Sequence, residues 1–417
     1  MLVKNCKIID KDGKDIITDI LIQNGTITKI EKNILTDAEE IIDAEEIIDA
    51  EEIIDAEEKY VLPGIVDVHT HMRDPGLTQK EDFTTGSMAC ARGGVTTFID
   101  MPNTIPVTVT KEVLADKKAL MNGRAYVDYG FHFGGSKKDN SSEIKDITNE
   151  TASTKIFLNM STGDMLIDDE KIIENIFRES KIISVHAEEE MVAKAIEFCE
   201  KYNKELYLCH LSKATEIELL KAAKARGAKV FGEVTPHHLF LNTDDVNKTE
   251  RSQLLLRMKP ELKEKHDNDV LWSALADGTL DTIGTDHAPH LIEEKLAKLT
   301  FGVPSVENSL EIMLNGVKNG KITLKRLIEV MCNKPADIFK IKNKGKIAVG
   351  YDGDLVIIDI TDNSPVKDDK VITKAGWTPY ENCNKGGKVL TTILRGQIVY
   401  SNGKFNGLHG REVKYYE

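Results

Sequence analysis

The sequence has no Cys-x-x-Cys pair: its six cysteines, Cys6, Cys90, Cys199, Cys209, Cys332 and Cys383, are scattered along the chain. That spacing argues against a zinc ribbon or a disulfide scaffold and fits a reducing cytoplasm. No apolar run approaches the roughly 18 residues of a membrane span. The opening MLVKNCKIIDKDGKD carries charges too early and too often for a signal peptide. Basic residues are in deficit, 55 against 69 acidic ones, and the net charge of −14 speaks against nucleic acid as a partner. Also missing is a Gly-x-Gly-x-x-Gly after the first strand of the alternating region, the mark of a dinucleotide-binding sheet.

What is present is a globular composition, 41% hydrophobic and 30% charged, over 417 residues. That length suits one large domain and a smaller one. Most of the negative charge has a single source. Asp37 to Glu58 holds twelve acidic residues and no base, so the rest of the chain is close to −2. Within it the unit Ile-Ile-Asp-Ala-Glu-Glu occurs three times, at Ile41–Glu46, Ile47–Glu52 and Ile53–Glu58. A period of six matches neither a helix nor a coiled coil but is compatible with short strands. It reads as tandem duplication of a surface strand and turn, with an acidic binding arm as the competing reading.

Both ends of the chain read as β structure. Leu2–Asp10 and Asp19–Ile22 are β-rich, with turn signals at Asp12-Gly13 and Asn24-Gly25. Leu355–Ile360 and Val389–Tyr400 are similar. One β-sandwich domain built from 1–60 and 344–417 is expected, around a catalytic domain at 61–343. Between them eight apolar, β-branched runs alternate with helical patterns: Ile65–His69, Val95–Asp100, Tyr126–His132, Lys155–Leu158, Ile182–His186, Leu206–His210, Lys229–Val234 and Thr282–Asp286. Alternation implies a parallel sheet, and eight units predict an α/β fold, a (β/α)8 TIM-like barrel.

Such barrels keep their chemistry at the C-terminal ends of the strands. Those ends carry His69-Thr70-His71, His186, His210 and Asp286, while Lys155 opens the fourth strand. His-x-His on a strand puts two imidazoles on one face. With His186, His210 and the Asp286 carboxylate they form a ligand set for zinc or a similar divalent metal. Lys155 beside such cations has to be neutral; a neutral amine takes up carbon dioxide, and the resulting carbamate can bridge two metals. His132 reads as a satisfied core histidine, His237 and His238 as packing or supporting groups in a loop, and His266 and His409 as surface residues.

At this point the residues carry a resemblance. Leu62-Pro-Gly-Ile-Val-Asp-Val-His-Thr-His-Met-Arg-Asp-Pro-Gly76 resembles the opening motif of the cyclic amidohydrolases, and within them of the dihydroorotase family. Met101-Pro-Asn103, Leu208-Cys-His-Leu-Ser212, Glu233-Val-Thr-Pro-His-His238 and Thr285-Asp-His-Ala-Pro-His290 continue the match over nearly the whole chain. The resemblance implies two zinc ions held by His69, His71, His186, His210 and Asp286 and bridged by N6-carboxylated Lys155. It implies Asp286 as general acid and base, with Ser161 or Thr162 on a loop that closes over the substrate. His71, Arg73, Asn103, Lys259, His290, Phe301 and Gly302 are the implied substrate contacts. The implied reaction is reversible cyclisation of N-carbamoyl-L-aspartate to L-dihydroorotate, a small-molecule conversion with no nucleic-acid or membrane partner. Two departures stand out. Lys259-Pro-Glu-Leu-Lys263 replaces the usual Asn-Pro-Pro-Leu-Arg, and the stretch from His186 to His210 is short. Allantoinase or hydantoinase-like activity, and a non-catalytic scaffold, are the alternatives; Arg73 speaks against hydantoinases and the full ligand set against a scaffold.

Overall fold

The computed structural model describes residues 1–35, 52–161 and 165–416. All eight expected runs form strands: Ile65–Thr70, Val95–Asp100, Asp128–Phe131, Thr154–Phe157, Ile182–His186, Glu205–Leu208, Val230–Val234 and Thr282–Ile283. Neighbours pair in parallel in chain order. The third strand resumes after His132 as Phe133–Gly134, which pairs with the fourth. The ring closes where the His71 amide donates to the His287 carbonyl at 2.7 Å. Strands buried on both faces read as continuous apolar runs, which is why these were visible in the sequence.

Helices cover the outside, and their starts follow local chemistry. Asp82, Thr110 and Asp169 accept hydrogen bonds from first-turn amides of Phe83–Arg92, Lys111–Met121 and Glu170–Glu179. Such caps contribute about 1 kcal/mol each. Helix Glu170–Glu179 turns Ile173, Ile176 and Phe177 inward, and Phe177 meets Phe198 of helix Glu190–Tyr202 at 5.3 Å between ring centres.

The ends of the chain share one sheet, ordered Lys404–Phe405, Gln397–Ser401, Lys388–Leu394, Leu355–Asp359, Tyr60–Pro63, Leu2–Ile9, Asp15–Gln23 and Thr26–Glu31. Of the three acidic repeats only the last lies wholly within the described residues. Its Ile53–Asp55 pairs in parallel with Leu2, Val3 and Lys4. A buried lysine ties sheet to barrel: the Lys344 ammonium lies 2.6–2.8 Å from carboxylates of Asp128, on a barrel strand, and of Asp352 and Asp354, beside the terminal sheet. Arg395 also pairs with Asp128. No helix among the described residues is long and apolar enough to cross a membrane.

Candidate active site

A cleft at the C-terminal ends of the strands is lined by His69, His71, Arg73, Asn103, Lys155, Phe157, Ser161, His186, His210, Lys259, Asp286, Ala288, Phe301 and Gly302. His290 stands directly behind it, 3.2 Å from Arg73. Thr162 lies outside the described residues. Three positions differ from a simple strand-end picture. Lys155 is the second residue of Thr154–Phe157 and reaches the cleft from within the strand. His210 and Asp286 sit beyond their strands, in left-handed backbone with φ of 38° and 44°. Non-glycine residues seldom adopt that region, and such strain clusters at functional sites.

The first two histidines are aimed by partners far away in sequence. His69 Nδ1 lies 2.7 Å from Glu233 Oε1, and His71 Nδ1 lies 2.7 Å from Asn103 Oδ1. With both Nδ1 protons donated there, the two Nε2 atoms face Asp286 Oδ1, at 3.2 and 3.0 Å. Glu233 also takes the Tyr207 hydroxyl (2.8 Å) and the His210 amide (2.8 Å). The residue list drawn from sequence omits this carboxylate. The available signal is a charged residue inside the apolar strand Val230–Val234. Asn103, expected to touch substrate, lines the cleft and sets its side-chain oxygen on His71 Nδ1.

Burial pushes the pKa of His71 down to about 4 and lowers those of His186 and His210, so these three rings are neutral. Burial also works against a charged His69, but Glu233 and Asp286 outweigh it and hold its pKa well above the usual value. Neutral imidazoles beside a carboxylate are what a divalent metal requires. The buried polar atoms point the same way. Among the described residues His186 Nε2 and His210 Nδ1 have no hydrogen-bond partner, the nearest carboxylate to His186 Nε2 being Glu188 at 3.7 Å, and the ligand atoms of His69, His71 and Asp286 all lie within 4.8 Å of one another. The residues present therefore fit a divalent metal. Lys155 is fully buried, contacts Cys209 Sγ at 2.9 Å and has no carboxylate within 4.0 Å among the described residues.

Beside this cluster lies a cationic wall. Arg73 is 2% exposed, adopts φ of 62°, and its Nε donates to the Pro289 carbonyl at 3.2 Å. The ion pair with Glu81 or Asp82 that would make it structural is not formed. His290 receives a hydrogen bond at Nδ1 from Lys80 (3.1 Å) and directs Nε2 at the Phe301 carbonyl (3.0 Å). Lys80 is a further group that the sequence reading missed. The Lys259 ammonium stands 5.5 Å from the centre of the Phe301 ring and 2.9 Å from Glu261. His237 and His238 are in a short helix, Pro236–Phe240, rather than a loop, and do not line the cleft.

The amidohydrolase family model matches residues 60–399. The chain is 34% identical over its whole length to a dihydroorotase of Methanosphaera stadtmanae, covering 99% of it. It is 37% identical over 84% of its length to one of Pyrococcus horikoshii, covering 83% of that protein. Among solved structures it is similar to an L-hydantoinase (dihydropyrimidinase) from Arthrobacter aurescens, with TM-score 0.90, 29% identity and 99% of each chain covered. A D-hydantoinase (dihydropyrimidinase) from Thermus gives 0.89 and 27%, covering 99% of this chain and 98% of that one. The chain belongs to the amidohydrolase family. Within it, the protein is a metal-dependent cyclic amide hydrolase.

Proposed function

We propose that the protein is a dihydroorotase, interconverting N-carbamoyl-L-aspartate and L-dihydroorotate in pyrimidine biosynthesis in the cytoplasm. The observation that carries this reading is Arg73: a buried guanidinium beside the histidine cluster with no carboxylate within 4.0 Å among the described residues. A buried cation needs an anion, and the carboxylate of dihydroorotate supplies one. Hydantoin and dihydrouracil rings carry none. The solved hydantoinases share the fold, so a neutral ring is the second reading, and allantoin the third.

His69, His71, His186, His210 and Asp286 would hold two zinc ions or similar metals, and Lys155, as its N6-carboxylate, would bridge them. Bound there, such ions lower the pKa of water toward neutrality and polarise an amide carbonyl. The chain's own residues do the rest. Arg73 grips the carboxylate and His290 holds the edge of the same subsite. Asn103 fixes the His71 ring that faces the substrate. Asp286 accepts the proton of the attacking water and returns it to the ring nitrogen that leaves; ring closure runs this in reverse. Phe301 and Gly302 border the ring, Lys259 adds a second cation, and Ser161 borders the open-chain form.

The test is turnover of L-dihydroorotate, hydantoin, dihydrouracil and allantoin by the purified zinc-loaded protein. The highest kcat/KM is expected for L-dihydroorotate; preference for any of the others would overturn the assignment.

A further inference from the structure

Helix Ile292–Ala297 follows the cleft and carries a fully buried lysine, Lys295. Its ammonium has three donors and uses them on three backbone carbonyls: Arg257 at 2.6 Å, Gly302 at 3.0 Å and Thr300 at 3.3 Å. No carboxylate lies within 4.0 Å of it among the described residues, and the Trp377 ring, 5.8 Å away, is a further neighbour. Burying an ammonium costs far more than burying a leucine, so its presence calls for a reason beyond filling space.

The reason lies in what the carbonyls belong to. Arg257 is two residues before Lys259, and Thr300 and Gly302 flank Phe301. The intervening Phe301 carbonyl is taken by His290, and the Gly302 amide donates to the Arg257 carbonyl at 3.0 Å. Three consecutive carbonyls of this loop are thus fixed. In a trans peptide the C=O and N–H point in opposite directions, so fixing Thr300 C=O also fixes the direction of the Phe301 N–H. Gly302 fits because the loop runs against another backbone: at its φ of 129° a Cβ would lie 2.6 Å from the Ala288 carbonyl.

We infer that Lys295 is a positioning residue of the cleft, its ammonium gathering the Arg257, Thr300 and Gly302 carbonyls and so setting the two loops that present Lys259, Phe301 and Gly302 to the substrate ring. This rests on the dihydroorotase reading for the identity of the substrate, though not for the loop geometry. Preorganisation of this kind lowers the cost of ordering loops on binding and is read in KM before kcat.

The experiment compares wild type with Lys295→Met, which keeps the stem and removes the donors, and Lys295→Gln, which returns a donor. KM and kcat for L-dihydroorotate, metal content, melting temperature and hydrogen exchange of the 300–303 amides without substrate are measured. Lys295→Met is expected to raise KM at least tenfold, with kcat within threefold, metal content unchanged and faster exchange at 300–303. Lys295→Gln is expected to recover part of the KM. Unchanged KM in Lys295→Met, whether or not its melting temperature falls, would overturn the inference; if that variant fails to fold, Lys295→Gln is read by the same criterion against wild type. Should wild type prefer another cyclic amide, the KM comparison is made on that ring, and the exchange rates report the loop independently.

Discussion

Replacing Arg73 by methionine pits binding against stability with opposite signs. In the free protein the guanidinium is 2% exposed, and burial takes its pKa from the usual 12.5 down to about 10. That difference amounts to about 3 kcal/mol against the charged form, at about 1.4 kcal/mol for each factor of ten. The folded protein therefore bears a cost to keep a cation there, and a bound carboxylate offsets it. Arg73→Met removes both the cost and the grip. Loss of a buried charged hydrogen bond is worth roughly 1.5–3 kcal/mol, or about 10- to 150-fold in KM for L-dihydroorotate. Melting temperature is expected to hold or rise, because the donated bond to the Pro289 carbonyl is the smaller loss and the methionine stem fills most of the volume. Metal content is expected to stay unchanged, since no metal-competent atom is removed. The assay is steady-state hydrolysis, with metal analysis and a thermal melt on the same preparation. An unchanged KM, or a KM rise matched by a large loss of stability, would refute the reasoning and return Arg73 to a structural role.

Asp286→Asn is expected to retain most of the metal but lose at least about 10²–10⁴ in kcat, because an amide cannot relay the proton; near-normal turnover would remove Asp286 from the chemistry. Glu307→Gln tests a buried acid whose pKa burial raises from 4.5 to about 7, and whose Oε2 accepts from the Ile372 amide at 2.7 Å. An acid with a raised folded pKa binds more protons folded than unfolded, so wild-type stability falls as pH climbs from about 4.5 to 7. The stability gap in favour of the glutamine variant is therefore expected to open across that window, to a few kcal/mol at most, and to stay flat above it; a gap that does not change with pH in denaturant melts would show that the acid is ionised at no cost and refute the reasoning.

Much of the scaffold was legible because its signals are local. Ile182–His186 is a buried, mostly β-branched run and Glu205–Leu208 an apolar one after its half-buried first residue, and each is followed by a helix. The last barrel strand was harder to bound. Thr282–Ile283 stops at Gly284, where a Cβ would lie 2.1 Å from Glu233 Oε2, and the chain leaves the sheet before reaching Asp286. Side-chain partnerships over long separations were not legible. Glu233 and His69 are 164 residues apart, and nothing near either one signals the other. The same holds for the C-terminal tail, whose Val413 amide returns to the Tyr129 carbonyl on a barrel strand. Lys295 has the same difficulty: its partners are backbone atoms, which every residue offers, so no residue type marks them.

The buried cations of this molecule fall into two kinds, and the division separates scaffold from site. Lys117 pairs with Asp100 at 2.6 Å, and Lys344 is surrounded by three carboxylates, so each charge is cancelled within the fold. Breaking such a pair leaves an uncompensated charge and costs about 3–5 kcal/mol whether or not substrate is present. Arg73 and Lys295 are equally buried but have no carboxylate within 4.0 Å among the described residues. Arg73 lines the cleft itself, where a substrate carboxylate would bring the missing negative charge. Lys295 is held by carbonyl dipoles, which can satisfy a cation without neutralising it. An unpaired buried charge is a cost the free protein bears, and natural folds retain such costs mainly where a ligand relieves them or where the geometry they impose is used. On that argument, the cations lacking partners mark the functional half of the barrel more sharply than the histidines do, because His132, buried as deeply as His69, is satisfied by Ser153 Oγ and the Val68 carbonyl at 2.8 Å each and serves only the core.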